Sequence, residues 1–113
     1  MWLLSSFSLQ MLERLTGTLR FSPIDEETAL GRLQKGFQSA VGHHDTADVL
    51  SAKLGLSVEC NRTRVTLRPG DIALVAQLEL PRSPQENLPI SREQVERANV
   101  TFVLVQVLDT EAS

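Results

Sequence analysis

Cysteine is nearly absent from this 113-residue chain, which has one, Cys60. A lone thiol excludes an internal disulfide and fits a reducing compartment, so the cytoplasm is the expected location. Long apolar runs are missing as well. No segment approaches the ~20 apolar residues that a membrane helix needs. The apolar opening Trp2 to Leu4 has no basic start and is followed soon by Glu13 and Arg14, which does not fit a signal peptide. Without secretion, the sequons at Asn61-Arg62-Thr63 and Asn99-Val100-Thr101 are expected to be chance matches. Positive charge is not in surplus: 11 basic residues stand against 14 acidic ones, a net charge of −3. They are interspersed rather than gathered into a stripe, which disfavours tracking along a long nucleic acid. A compact anion held by two or three arginines and backbone amides remains open.

What is present suits one domain over residues 1–113. A chain of this length buries somewhat under ~70% of the surface its unfolded form exposes and folds without disulfides or a structural metal. The order of elements is that of an alternating α/β domain. An apolar strand opens at MWLLSS. Leu9, Met11, Leu12 and Leu15 then have the spacing of a two-turn amphipathic helix, with Ser8 placed as its N-cap. TLRFSPI alternates as a strand closed by Pro23. DEETALGRLQKG is the clearest helix, acidic at its start, basic at its end and stopped by Gly36. A second helix runs from Asp45 or Thr46 to Leu54 and stops at Gly55.

The second half reads as strands. TRVTL and IALVAQLEL flank Arg68-Pro69-Gly70-Asp71, where Pro followed by Gly fits the centre of a type II turn, and together they predict a hairpin. A loop from Pro81 to Pro89 leads to SREQVERA, whose Ser91 and Gln94 form a capping box. The near-continuous apolar run VTFVLVQVL suits a strand covered on both faces.

Both histidines lie in one stretch, VGHHDT, residues 41–46. Gly42 allows the backbone a conformation barred to other residues, and Asp45 or Thr46 can cap the helix that follows. His43 then sits just ahead of a helix N-terminus, where unpaired amides and the helix dipole favour an anion. A phosphate there would be held by backbone with the imidazole facing it. A turn histidine bonded to a nearby carbonyl fits the same residues. A metal site fits them less well, because adjacent residues diverge in direction and beyond Asp45 and Cys60 no third ligand falls at a usual spacing.

Taken together, SFSLQML near the start, SAVGHHDTADVLSAKLG in mid-chain, NRTRVTLRPGDIALVAQLEL after it and a short helix leading to a final apolar strand resemble the metal-independent ring nucleases of the viral anti-CRISPR type. The match runs from Trp2 to Leu108 in the same order. The resemblance implies a mixed sheet flanked by short helices and a homodimer that binds cyclic tetra-adenylate across its two-fold axis. It also implies cleavage of the ring to linear products, which switches off type III CRISPR signalling, with neither metal nor cofactor. A non-catalytic module that sequesters or senses the same ring is the alternative.

Carried over residue by residue, the resemblance makes His43 the catalytic general acid. Arg62, of the Asn-Arg pair, becomes a phosphate clamp, although without the resemblance a strand-edge arginine in solvent is the favoured reading of its position. Phe7-Ser8 places Ser8 as a ligand contact as well as a cap, and Gly42 and Thr46 fall at the ligand-facing helix start. The loop after the long strand supplies Arg82 and Glu86, with Gln85 standing where the family has its acid. His44 replaces the acidic residue that usually follows the histidine. It reads as an exposed helix-start residue, a second ligand contact or a substitute acid.

Overall fold

The computed structural model describes residues 1–79 and 99–108. In chain order the elements are β1 (Trp2–Leu4), a 3-10 turn (Leu9–Met11), β2 (Thr18–Ile24), α1 (Glu26–Leu33), β3 (Gln38–Ala40), α2 (His44–Leu54), β4 (Ile72–Glu79) and β5 (Asn99–Leu108). The five strands form one mixed sheet in the order β2-β5-β4-β1-β3. β1 is parallel to both β3 and β4, with Leu4 opposite Ala40 on one side and Val75 on the other. β5 runs antiparallel to β4 and to β2. Parallel neighbours cannot be joined by a tight turn, so the chain crosses over between them, and α2 is the crossover from β3 to β4.

Alternation along the strands sends apolar side chains to both faces. On one face Leu3, Leu74, Ala76, Phe102 and Leu104 pack with Ala29 and Leu33 of α1 and with Ala47, Leu50 and Leu54 of α2. On the other, Leu4, Ala73 and Val107 meet Val65 and Leu67, with Met11 and Leu12 packed beside them. The long apolar run of β5 follows from this position inside a sheet with apolar cover on both sides.

α1 forms where its charges and cap predict. Asp25 is extended at the N-cap and its Oδ1 accepts from the Thr28 N–H at 2.7 Å. Glu26 and Glu27 occupy the first turn and Arg32 the last, each complementing the helix dipole. Hydrogen bonding from the Thr28 side chain, and then from its backbone N–H, holds the Asp25 carboxyl below the ordinary carboxylate range. Because the folded-state pKa is the lower one, the cap's contribution is complete above the unfolded value and is lost as the pH falls through the folded one. Asp25→Ala is therefore expected to lower the thermal midpoint at neutral pH. Its difference from the parent should shrink steadily as the pH drops below the ordinary carboxylate range; a difference constant down to strong acid would reject the cap as the cause.

Three local expectations give way to tertiary pairing. Leu9 to Leu15 is not a two-turn helix but one 3-10 turn. Leu12 forms a parallel bridge with Leu67, fixed by the Leu67 N–H to Met11 O bond at 2.6 Å and the Glu13 N–H to Leu67 O bond at 2.9 Å. The chain turns away to make that pairing, leaving Leu9 and Leu15 64% and 79% exposed. Ser8 is extended and its side chain makes no cap bond.

The predicted hairpin is also absent, although its turn is real. Gly70 has φ +94°, Asp71 N–H bonds Arg68 O at 2.9 Å, and Asp71 Oδ2 accepts from the Arg68 N–H at 2.8 Å. β4 already has β1 and β5 on its two flanks, so residues 63–67 have no edge of β4 to join and instead pack Val65 and Leu67 against the second face. Finally, Pro23 does not close β2, which continues to Ile24. β2 is an outer strand, where a residue without an N–H is tolerated. The Pro81–Pro89 loop and the helix predicted from Ser91 lie outside the described residues.

Candidate functional site

β1, β3 and β4 run parallel, so their C-terminal ends open on one end of the sheet. In open α/β sheets this is the end where ligands bind, because the connections leaving it carry helix N-termini and loops. β3 reaches it at Ala40 and continues through Val41, whose side chain is fully buried and fixes the direction of the exit. Gly42 and His43 follow, and α2 begins at once.

The helix starts earlier than its capping residues suggest. His43 is itself the N-cap, extended at φ −129° and ψ 132°, and its carbonyl accepts from the Ala47 N–H at 3.0 Å. Asp45 and Thr46 lie in the first turn and do not cap it. The His43 side chain makes no capping bond and is exposed, as is His44, while Thr46 is half-buried. The imidazole therefore projects from the start of an 11-residue helix whose first amides have no side-chain acceptor from the cap. At the other end Gly55, left-handed at φ +66°, closes the helix with its N–H on Ser51 O.

Gly42 does not use the freedom of glycine. Its φ lies outside the positive region, and a Cβ there would meet Arg62 Cγ at an ordinary 3.7 Å. What matters at Gly42 is its carbonyl, which accepts from Arg62 Nε at 2.8 Å. Arg62 is exposed, and this contact orients its planar fork beside the residue that precedes His43. Of the residues expected at the site, the structure thus gathers Gly42, His43, His44, Thr46 and Arg62. Ser8 lies four residues beyond β1, which ends on the same side of the sheet, and its side chain caps nothing. Arg82 and Glu86, with Gln85, lie outside the described residues.

Two further residues build this site and were given no role by sequence reasoning. Ser39 Oγ donates to Glu59 O at 2.6 Å and accepts from the Val41 N–H at 3.3 Å. Asn61 Nδ2 donates to Ser39 O at 2.8 Å, and its backbone N–H donates to Val41 O, also at 2.8 Å. These bonds lay residues 59–62 along the outer side of β3, extended by the Val41–Cys60 bridge. Both residues fall inside the stretches quoted above, but no short-range signal announces a pairing 22 residues apart. His43, His44 and Arg62 are all exposed. A polar cavity of about 600 Å³ is lined by Ser39, Ser57, Glu59, Asn61 and Thr63 among others and does not include His43. Among the described residues no three His, Cys, Asp or Glu side chains converge as metal ligands, and no helix is long and apolar enough to cross a membrane.

The sequence profile of the STIV B116-like family matches residues 1–104. The chain belongs to this family. A solved STIV B116-like structure, B116 of Sulfolobus turreted icosahedral virus, superposes with a TM-score of 0.74 at 23% identity and covers 93% of this chain and 97% of its own. At that identity the likeness shows the fold: a single domain with a five-stranded mixed sheet and two helices. No curated protein matches the sequence.

Proposed function

We propose that this STIV B116-like protein is a metal-independent ring nuclease. It binds cyclic tetra-adenylate at a homodimer interface and cleaves it, switching off type III CRISPR signalling. The observation that supports this reading best is the Arg62 Nε to Gly42 O bond, which brings an arginine from the second half of the chain against the start of α2, beside His43. The sequence resemblance assigns this arginine and this histidine to phosphate binding and to acid catalysis. The Nε bond leaves the Nη groups of the fork to take phosphate oxygens. The helix start adds unpaired amides and the positive end of a dipole.

In the proposed reaction a ribose 2'-hydroxyl attacks its own 3'-phosphate. The 2'-oxygen to phosphorus bond forms, the bond from phosphorus to the 5'-oxygen breaks, and the proton of the hydroxyl passes to water. His43 supplies a proton to the departing 5'-oxygen, a task suited to an imidazole near neutral pH. Arg62 and the helix amides stabilise charge on the phosphate as it develops. Much of the acceleration comes from holding the three reacting atoms in line.

An exposed half-site on one protomer fits a ligand shared by two. A ring of identical nucleotides presents equivalent groups to both subunits of an isologous dimer, so each protomer can contribute the same His43 and Arg62. Arg82, Glu86 and Ser8 are proposed as further contacts.

Incubation of the purified protein with cyclic tetra-adenylate in excess chelator, with products resolved by chromatography, tests the reading. Linear products are expected. Intact ring recovered from a tight complex would make the protein a sponge or sensor, and absence of binding would remove the nucleotide altogether.

A further inference from the structure

We propose that Asn61 and Ser39 are positioning residues which fix the guanidinium of Arg62 relative to His43. The proposal rests on the reading of Arg62 and His43 as the groups that act on the ring. Residues 57–64 belong to no helix or strand, yet they are tied down at closely spaced points. Ser51 Oγ accepts from the Val58 N–H at 2.9 Å, and its one hydroxyl proton is shared between Ala47 O at 2.8 Å and Val58 O at 3.2 Å. Ser39 holds Glu59 O, Asn61 holds Ser39 O and Val41 O, and Arg62 closes the series on Gly42 O. Side chains here stand in for a strand ladder, and the residues they bind on β3 and α2 lead directly into, or directly out of, His43.

The side-chain amide of Asn61 has a particular place in this clasp. One N–H of Nδ2 is used on Ser39 O and the backbone N–H of Asn61 on Val41 O, so residue 61 is held twice immediately before Arg62. Arg62 has a long side chain with many rotamers, and its Nε bond to Gly42 O holds the fork in one place only while the backbone that carries it is itself held. Fixing the preceding residue at two points removes the backbone freedom that would otherwise let the fork wander. A displacement of about 1 Å at such a group is enough to cost a large part of a rate that depends on alignment.

A double-mutant cycle with cyclic tetra-adenylate distinguishes positioning from plain structural support. Asn61→Ala, Asn61→Asp and Ser39→Ala are each expected to lower single-turnover cleavage roughly tenfold or more, and Ser39→Thr, which keeps the hydroxyl, to restore most of it. In an Arg62→Ala background, Asn61→Ala should lower the rate by less than about twofold, because the group it positions is gone. If the Asn61→Ala loss is undiminished in that background, Asn61 does not act through Arg62 and the proposal falls while the reading of the site stands. If Arg62→Ala alone changes neither cleavage nor ring binding, the reading of Arg62 fails, and the proposal with it. Should Asn61→Ala fail to fold, Asn61→Asp and Ser39→Ala carry the same cycle; should the protein bind without cleaving, ring affinity is the quantity compared.

Discussion

Replacement of His43 by alanine is expected to lower turnover of cyclic tetra-adenylate by a factor on the order of 100 or more while the ring stays bound. The size follows from the role. A general acid acts only as the 5'-oxygen departs, so its loss raises the barrier to cleavage without removing a ground-state contact of similar strength. Binding is expected to persist because the helix amides and the Arg62 fork remain. The fold is expected to persist because the His43 side chain makes no capping bond and is exposed.

His44→Ala is the matched control. It removes an imidazole one residue further along, from the first position of α2, also exposed. If His43 is the acid, the His44 variant retains most of its turnover. If the two variants exchange behaviour, His44 is the acid and the assignment drawn from the Gly-His pair is wrong. Measurement of rate and ring affinity for both variants, in chelator, separates these outcomes, and full activity in His43→Ala would sink the mechanism.

The second large effect concerns stability. Leu50→Ala is expected to cost about 3 kcal/mol, within the range of roughly 2–5 found for buried leucines, and to lower the midpoint of thermal unfolding by about 10 °C or more. Leu50 is fully buried in the middle of α2, within the cluster that joins that helix to Leu3, Val41 and Leu74 of the sheet side. Truncation removes apolar contacts and leaves a cavity that a helix anchored at both ends cannot collapse around. Leu9→Ala removes the same number of atoms from a side chain 64% exposed, and is expected to change stability by less than about 0.5 kcal/mol. Chemical denaturation of both variants, with unchanged slopes, checks the contrast. Equal effects would mean that α2 does not pack as described. The outcome bears on the site too, because α2 carries His43 at its cap.

Surface charge contributes little by comparison. The Arg68–Glu13 pair, 3.7 Å apart with side chains 70% and 44% exposed, is screened and loosely held. The turn it flanks is fixed instead by Gly70 and by the Asp71 carboxylate on the Arg68 N–H.

The sequence by itself determined those elements whose causes lie within a few residues. α1 was legible because Asp25, Glu26, Glu27 and Arg32 each favour the same helix ends, and the Arg68–Asp71 turn because Pro69 and Gly70 have the backbone preferences it requires. The stop of α2 at Gly55 and the buried character of β5 were legible for the same kind of reason. The placement of His43 at a helix start was also local, although the helix begins at His44 rather than at Asp45 or Thr46.

Only the tertiary structure decided the rest. Leu9 to Leu15 and Thr63 to Leu67 have patterns suited to a helix and a strand; the first yields to the Leu12–Leu67 pairing, the second because β1 and β5 already occupy both edges of β4. β3 is three residues long and exists because β1 offers it an edge. Arg62 meets Gly42 across 20 residues, and Asn61 meets Ser39 across 22. Hydrogen bonds between segments so far apart depend on which strand edges are already occupied, a property of the assembled sheet that no window of sequence contains.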